Sequence, residues 1–442
     1  MKVLKFGGTS VGSAKNIAQV ADILAQDPAD KLVVLSAMSG VTNLLVNFYD
    51  SLLAKDRAAG EILLATVKQK HEEAIEELFS DNQAIDELYV TVSQYLGILR
   101  GCVDRPISKE TYATVVTTGE MMSTTIVSRY LESLQLPNIW LDAGTFMYVN
   151  QVENPDIDSV ADHLLPQLKA RPAALYITQG FVCRQKEGLL TTLNRGGSDF
   201  SATIIAAALA ATEVEIWTDI DGLHNNDPRY VEETKPIEHL TYNEAAELAY
   251  FGAKILHPQT VAPVIDKDIP VWLKNTFDPS AAGTKISNQY HDRGLKAISA
   301  KDGITVIKIR SNRMLGAHGF LKTIFEVFDR HETSIDMITT SEVAISLTID
   351  DHKNLNAIVT ELAVIAEITV EQDHSIICIV GEKLIADEAS ANAFGLLKEL
   401  PVRMISYGGS NNNISLLVPG NTKIKALQYL NQALFSLQGS ML

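Results

Sequence analysis

Residues 2–13 read KVLKFGGTSVGS, a strand-like run (KVLKF, 2–6) that breaks into two glycines and then small polar residues. NIAQVADILA (16–25) follows, with Ile17, Val20, Ala21 and Leu24 on one helical face. Strand, glycine turn, helix is thus the opening grammar of the chain, and it recurs. KLVVLSA (31–37), AALYITQGFV (173–182) and VEIWTDI (214–220) are strand-like and lead into glycine-containing turns, and IPVWLKN (269–275) is a further strand. Strands alternating with helices predict an α/β fold, a mostly parallel sheet covered on both faces. Ligands of such sheets bind at the carboxyl ends of the strands, where these glycine turns fall.

Bulk properties narrow the reading. A chain of 442 residues implies two or three domains. A formal charge of -17 argues against a nucleic-acid partner. Cys102, Cys183 and Cys378 are scattered without ligand or redox spacing, so they read as reduced, buried thiols. MKVLKFGG enters a strand at once, with no apolar core or cleavage site of a signal peptide. No apolar run approaches the roughly 20 residues of a membrane span. We expect a soluble cytoplasmic protein with neither membrane nor nucleic-acid partner.

Residues from about 44 to 110 interrupt the alternation with a charged, helix-rich insert, read as a solvated helical hairpin, with a mobile lid as the alternative. From Pro279 the text loosens (DPSAAGTKISNQYHDRG) into what reads as a linker. Beyond it lies an internal repeat: TVIKIRS (305–311) corresponds to SIICIVG (375–381), and DMITTSEVAISLTI (336–349) to RMISYGGSNNNISLLV (403–418). One amphipathic helix separates each pair, GFLKTIFEVFDRH and SANAFGLLKEL. These are two small α+β modules expected to pack together, as ligand sensors or oligomerisation modules. The boundaries follow as 1–285, 298–373 and 374–442.

The glycine turns carry the chemistry. Gly7 and Gly8 let the backbone approach a ligand and form an anion nest, with Lys5 upstream as a point charge for phosphate. Gly196, Gly197 and Ser198 make a second amide-rich turn before a helix, where Arg195 offers a planar fork for a carboxylate or a phosphate. Asp199 reads either as an N-cap or as an acid that holds cations in place while no substrate is bound. Thr218 and Asp219 end a strand, Arg229 lies beyond a turn, and Lys254 follows a glycine. Four cations in strand-end or turn contexts of an acidic protein point to a polyphosphate.

KFGGTSVGS (5–13), TTGEMMST (117–124), TLNRGGSDFSA (192–202), WTDIDGL (217–223) with DPR (227–229), and EAAELAYFGAKILHPQT (244–260) occur in the order and spacing of aspartate kinases. The chain resembles that family over essentially its whole length. The resemblance implies a three-layer αβα amino-acid kinase fold with a mostly parallel sheet, followed by two C-terminal ACT-like domains. It implies that Lys5 bridges the transferring phosphate, cradled by Gly7 and Gly8, and that Asp199 orients the catalytic lysines. Arg195 would clamp the α-carboxylate of aspartate, Glu120 would receive its ammonium, and Thr42 and Ser198 would complete the pocket. Thr218, Asp219, Arg229 and Lys254 would hold ATP, with Mg²⁺ carried by the nucleotide and no metal ligands of the protein's own. The chain departs from the family at His224, where many members carry a tyrosine that contacts the nucleotide.

NRMLGAHGFLKTIF (312–325) and SIDMITTSE (334–342) resemble the first ACT domain of lysine-sensitive members. That implies an effector site of Met314, Ala317, Gly319, Phe320 and Leu321 on one side and Ser334, Ile335, Asp336 and Thr340 on the other. Lysine is the expected effector, Asp336 facing its cationic side chain, and a homodimer or homotetramer is expected through the paired modules. A side-chain carboxylate is ionised at pH 7 and needs no general base. The obstacle is repulsion, about 4 kcal/mol per unit-charge pair about 4 Å apart at an effective dielectric near 20. Another amino-acid kinase or a non-catalytic amino-acid sensor are the alternatives. The tail argues against the first, and the intact Lys5, Arg195 and Asp199 against the second.

Overall fold

Strand β1 (Lys2–Phe6) buries Val3, Leu4 and Phe6 fully, as expected of a strand covered on both faces. It lies at the middle of an eight-stranded sheet in this computed structural model, which describes residues 1–151, 154–193, 196–252, 258–289, 294–311, 318–384 and 395–435. Two compact units emerge. One comprises Met1–Leu223, Glu238–Tyr242 and Leu256–Gln289, the other His224–Ile237, Asn243–Ile255 and Tyr290–Leu442.

The first unit runs β1, α1 (Ala14–Gln26), β2 (Lys31–Leu35), then helices α2 (Val41–Leu53), α3 (Arg57–Leu78), α4 (Asn82–Gly101) and α5 (Lys109–Ser133). Then come β3 (Ile139–Trp140), β4 (Tyr148–Gln151), β5 (Asn154–Pro155), α6 (Ile157–Ala170), β6 (Leu175–Gln179), β7 (Val182–Gln185), β8 (Leu190–Thr192), α7 (Gly197–Leu209) and β9 (Val214–Thr218). After β10 (His239–Thr241), helix α8 (Tyr242–Tyr250) starts in this unit and continues in the other, and α9 (Pro258–Ile265), β11 (Val271–Asn275) and β12 (Thr284–Ser287) complete it. The sheet order is β10-β12-β11-β9-β1-β2-β6-β3, and every pairing is parallel except β11 with β12. Strand alternation makes the three layers. Leu4 and Phe6 pack with Ile17, Val20 and Leu24 of α1 and Val127 and Leu131 of α5, while Lys5 points the opposite way and meets Asp199 of α7.

Three expectations change. The run 173–182 is two strands: β6 stays in the main sheet, and β7 pairs with β8 in a small sheet ordered β5-β4-β7-β8. The stretch after Pro279 is only partly a linker, since Thr284–Ser287 forms β12. The insert is more than a solvated hairpin. Leu64, Val67 and Ile75 of α3 and Leu88, Val92 and Leu96 of α4 bury a core shared with α2 and α5, leaving the charged residues outward.

The second unit carries β13 (Gly294–Arg310), α10 (Phe320–Arg330), β14 (Ile338–Thr340), β15 (Ala344–Ile349), α11 (Leu355–Leu362), β16 (Glu367–Glu382), β17 (Met404–Ser406), β18 (Asn413–Pro419) and α12 (Lys423–Phe435). They form one antiparallel sheet, β14-β15-β13-β16-β18-β17. The long strands β13 and β16 serve both repeats. Ile307 and Ile309 enter a core with Ile324, Val327, Leu347 and Ile358, whereas Leu295 and Ile298 enter a second core with Ile377, Leu416 and Leu427. The first repeat is therefore nested within the second. Each repeat also ends in a helix, α11 and α12, that its periodicity did not reveal. The first five residues of SANAFGLLKEL (390–400) lie outside the described residues, and Leu397–Glu399 form a single 3-10 turn. All three cysteines are free and buried.

Candidate active site

Gly196, with a φ of 78°, is the left-handed N-cap of helix α7, so Gly197, Ser198 and Asp199 form its first turn. Asp199 is thus a first-turn acid rather than the cap. Its Oδ1 lies 2.6 Å from Lys5 Nζ, with side chains only 12 % (Lys5) and 16 % (Asp199) exposed. The two opposite charges are in direct contact. Lys5 sits near the carboxyl end of β1 and the first turn of α7 faces it, so a cation, an acid and helix amides converge.

Glu120, midway along α5, is wholly buried. Ser198 Oγ donates to its Oε1 at 3.1 Å, Ser36 Oγ donates to Ser198 Oγ at 3.1 Å, and Ser123 Oγ donates to the Ser36 carbonyl at 2.8 Å. Gly180 makes this approach possible, because a Cβ there would stand 2.3 Å from Ser198 Oγ and 2.7 Å from Glu120 Oε1. Burial pushes the Glu120 carboxyl up to about 8, against the pull of Ser198, backbone amides and Lys5. Glu120 Oε2 is buried without a hydrogen-bond partner among the described residues.

Lys5, Thr42, Glu120, Ser198 and Asp199 all line one cavity of about 660 Å³. Thr42 and Asn43 reach it from the first turn of α2. The sequence reading passed over Ser36, Asn43, Tyr112 and Phe181, which also line it. Ser36 was findable, since it follows a strand as Gly7 does. Tyr112 was not, because nothing in a helical pattern tells which turn faces a cavity. Tyr112 packs edge-on against Tyr49, ring centroids 5.1 Å apart.

Gly7 N–H donates to Trp217 O at 3.3 Å, tying the first glycine turn to the end of β9. There Thr218 Oγ1 donates to Asp219 Oδ1 at 3.1 Å. Arg229 belongs to the second unit, 74 % exposed and forked onto Asp227 (Nε to Oδ1 2.9 Å, Nη2 to Oδ2 2.6 Å). His224 Nδ1 lies 2.8 Å from Thr234 Oγ1. Arg195, Lys254, Met314 and Ala317 lie outside the described residues. Of the remaining effector candidates, Gly319 caps α10, Phe320 and Leu321 open it, and Ser334, Leu321 and Thr340 are exposed. Ile335 lines a groove of about 690 Å³ with Phe325 and Phe328. Asp336 is 1 % exposed and ion-paired to Lys301 at 2.8 Å.

The Amino acid kinase family profile matches residues 1–275, and the ACT domain profile matches 307–360 and 377–434. The lysine-sensitive aspartokinase 3 of Escherichia coli is 35% identical to this chain, covering 98% of it and 99% of that protein. Crystal structures of E. coli aspartokinase III superpose with a TM-score of 0.83 for the complex with aspartate and ADP (R-state) and 0.82 for that with lysine and aspartate (T-state). Both are 34% identical and cover 98% of this chain, and 100% and 99% of theirs. The chain belongs to the amino-acid kinase family and, within it, to the aspartokinases.

Proposed function

We propose that this chain transfers the γ-phosphoryl group of ATP to the side-chain carboxylate of L-aspartate, giving 4-phospho-L-aspartate and ADP. The reading rests on one observation: Lys5, Asp199, Ser198, Thr42 and Glu120 converge on a single cavity. A carboxylate oxygen of aspartate attacks the γ-phosphorus, and the bond to the bridging oxygen breaks, leaving its electron pair on ADP. Lys5 neutralises the equatorial oxygens in flight, Asp199 holds Lys5 in position, and the first turn of α7 adds its amide dipoles. No proton need be removed, so positioning and charge neutralisation carry the rate. Arg195 holds the α-carboxylate and Glu120 the ammonium, with Thr42 and Ser198 between them.

Gly7, Gly8, Thr218, Asp219, Arg229 and Lys254 are assigned to ATP. Among the described residues no cluster of three or more His, Cys, Asp or Glu is set to hold a metal. Mg²⁺ is assigned to the nucleotide's phosphates, where it would neutralise charge. The nested ACT modules would bind lysine at Gly319, Phe320, Leu321, Ser334, Ile335, Asp336 and Thr340, joined by Met314 and Ala317, in a homodimer or homotetramer. The reaction would open cytoplasmic synthesis of lysine, threonine and methionine. No helix among the described residues is long and apolar enough to cross a membrane.

Trapping the acyl phosphate with hydroxylamine tests the reading. Hydroxamate should form with aspartate and ATP and not with glutamate or acetylglutamate. Its absence with aspartate would leave the amino-acid sensor, and its formation from another acid would mark a different kinase.

A further inference from the structure

Asp336, Lys301, Asp350 and Tyr250 form a charged cluster far in sequence from the glycine turns and wholly within the second unit. Lys301 of β13 lies 2.8 Å from both Asp336 Oδ1 and Asp350 Oδ2. Tyr250, the last residue of α8, donates its hydroxyl to the same Asp336 Oδ1 at 2.8 Å, and Lys301 Nζ stands 4.5 Å from the centre of its ring. Burial works against the Lys301 charge, yet hydrogen bonds to Asp336 and Asp350 outweigh it and hold the ammonium above its ordinary pKa. Burial and the Asp336 charge keep the Tyr250 phenol protonated, so it acts as the donor. Two carboxylates against one ammonium leave the cluster one negative charge in excess. Asp336 Oδ2 is buried with no hydrogen-bond partner among the described residues. A buried carboxylate oxygen without a donor is costly, so Oδ2 has capacity for one more N–H donor.

A second contact locks the same segment to the same strand. Gly252 has φ 121° and sits so close to β13 that a Cβ would stand 2.0 Å from the Ala300 carbonyl oxygen. Ala300 is the neighbour of Lys301. Residues 250–252 therefore follow β13 at two adjacent positions, and α8 is also tied to β18 by Asn413 Nδ2 donating to Glu247 Oε2. A change at the cluster is passed to α8 without any intervening loop.

We propose that Tyr250 is the positioning residue through which α8 reads the Asp336 cluster, its hydroxyl transmitting the arrival of an ammonium ligand at Asp336 to nucleotide affinity. The inference rests on the proposed effector role of Asp336. An ammonium at Oδ2 competes for the electron density that holds Tyr250 and Lys301 at Oδ1. The weakened phenol bond frees the end of α8 and, with it, Phe251 and Gly252, which precede Lys254, assigned above to ATP.

Tyr250→Phe isolates the claim, because it keeps the ring beneath Lys301 and removes only the donor. In the full-length enzyme this variant should bind lysine in calorimetry at least as tightly as the wild type does and keep its kcat. Its half-inhibitory lysine concentration should rise by about tenfold, within the usual range of an allosteric coupling. Inhibition of Tyr250→Phe at wild-type concentrations would overturn the proposal. Should the wild type neither bind nor respond to lysine, the effector reading falls, and the contact is judged without ligand. Tyr250→Phe and Lys301→Met should then each raise the KM for ATP with kcat held, and the double variant should add nothing to the larger effect. An unchanged KM for ATP in both single variants would overturn it.

Discussion

Ser198 donates to Glu120 Oε1 at 3.1 Å in a pocket where the other Glu120 oxygen is buried and finds no partner among the described residues. A carboxyl so placed is held protonated to about 8, chiefly by burial. To receive an ammonium it must first release that proton.

Affinity for aspartate should therefore depend on pH with a definite sign. Below about 8 the free enzyme carries the proton, so binding releases it and the KM for aspartate should fall about tenfold per pH unit as pH rises. Above about 8 the KM should level. Kinetics from pH 6 to 9 check this, and Glu120→Gln should give a flat, uniformly weak profile. A wild-type KM independent of pH would refute the assignment. In stability the same shift is favourable below the unfolded value near 4.5 and is lost as pH rises through about 8. Glu120→Gln should thus gain thermal stability over the wild type across that window.

Lys5→Ala and Asp199→Ala should each lower kcat by about a hundredfold or more, as loss of a preorganised charge does, with the circular dichroism spectrum unchanged. The 2.6 Å ion pair predicts non-additivity: once Lys5 is gone, Asp199 has nothing to position. Near-normal turnover in Lys5→Ala would remove the residue from the chemistry.

Arg195→Ala should raise the KM for aspartate far more than the KM for ATP, since its proposed partner is the α-carboxylate. Steady-state titration of each substrate separates the two. Movement of the ATP term alone would place Arg195 at the nucleotide.

His71 of α3 predicts acid sensitivity of the helical insert. Its Nδ1 lies 2.7 Å from the Val67 carbonyl, its Nε2 is buried without a partner among the described residues, and burial lowers its pKa to about 4. The unfolded chain takes up a proton below about 6.5, which the folded chain refuses until about 4. Stability is therefore lost as pH falls through that interval, by on the order of 3 kcal/mol. Thermal melts at pH 7.5 and 5 should show a smaller drop for His71→Leu than for the wild type.

Much of this was legible in the sequence because it depends on local pattern. KVLKF and KLVVLSA became adjacent parallel strands, and GFLKTIFEVFDRH became α10, since period and composition agree there. β12 was hidden because DPSAAGTKIS carries turn residues up to its first position, and only pairing with β11 makes it a strand. The insert misled because charge on the outer faces of α3 and α4 outweighed the apolar positions between them. In the site, Lys5, Ser198 and Asp199 were marked by their glycine turns. The Ser36–Ser198–Glu120 chain was not, because it joins three separate elements through side chains, and sequence spacing says nothing of that. Asp336 was read as open to a ligand's charge, and Lys301, its partner 35 residues upstream, gave no sign of the pairing.

The nesting of the two repeats has a consequence for biogenesis. Gly294 pairs with Glu382 across the whole of the inserted module, so the opening strand of the outer module leaves the ribosome well before the residues that will hold it. The inserted module, complete once β16 begins, can collapse first and draw those distant ends together, shortening the closure that the outer module must make. Folding order is then written into the threading of the chain, inner module before outer. A lesion in the inner core, at Ile324 or Leu347, should delay both modules, whereas one at Leu416 or Leu427 should strand only the outer.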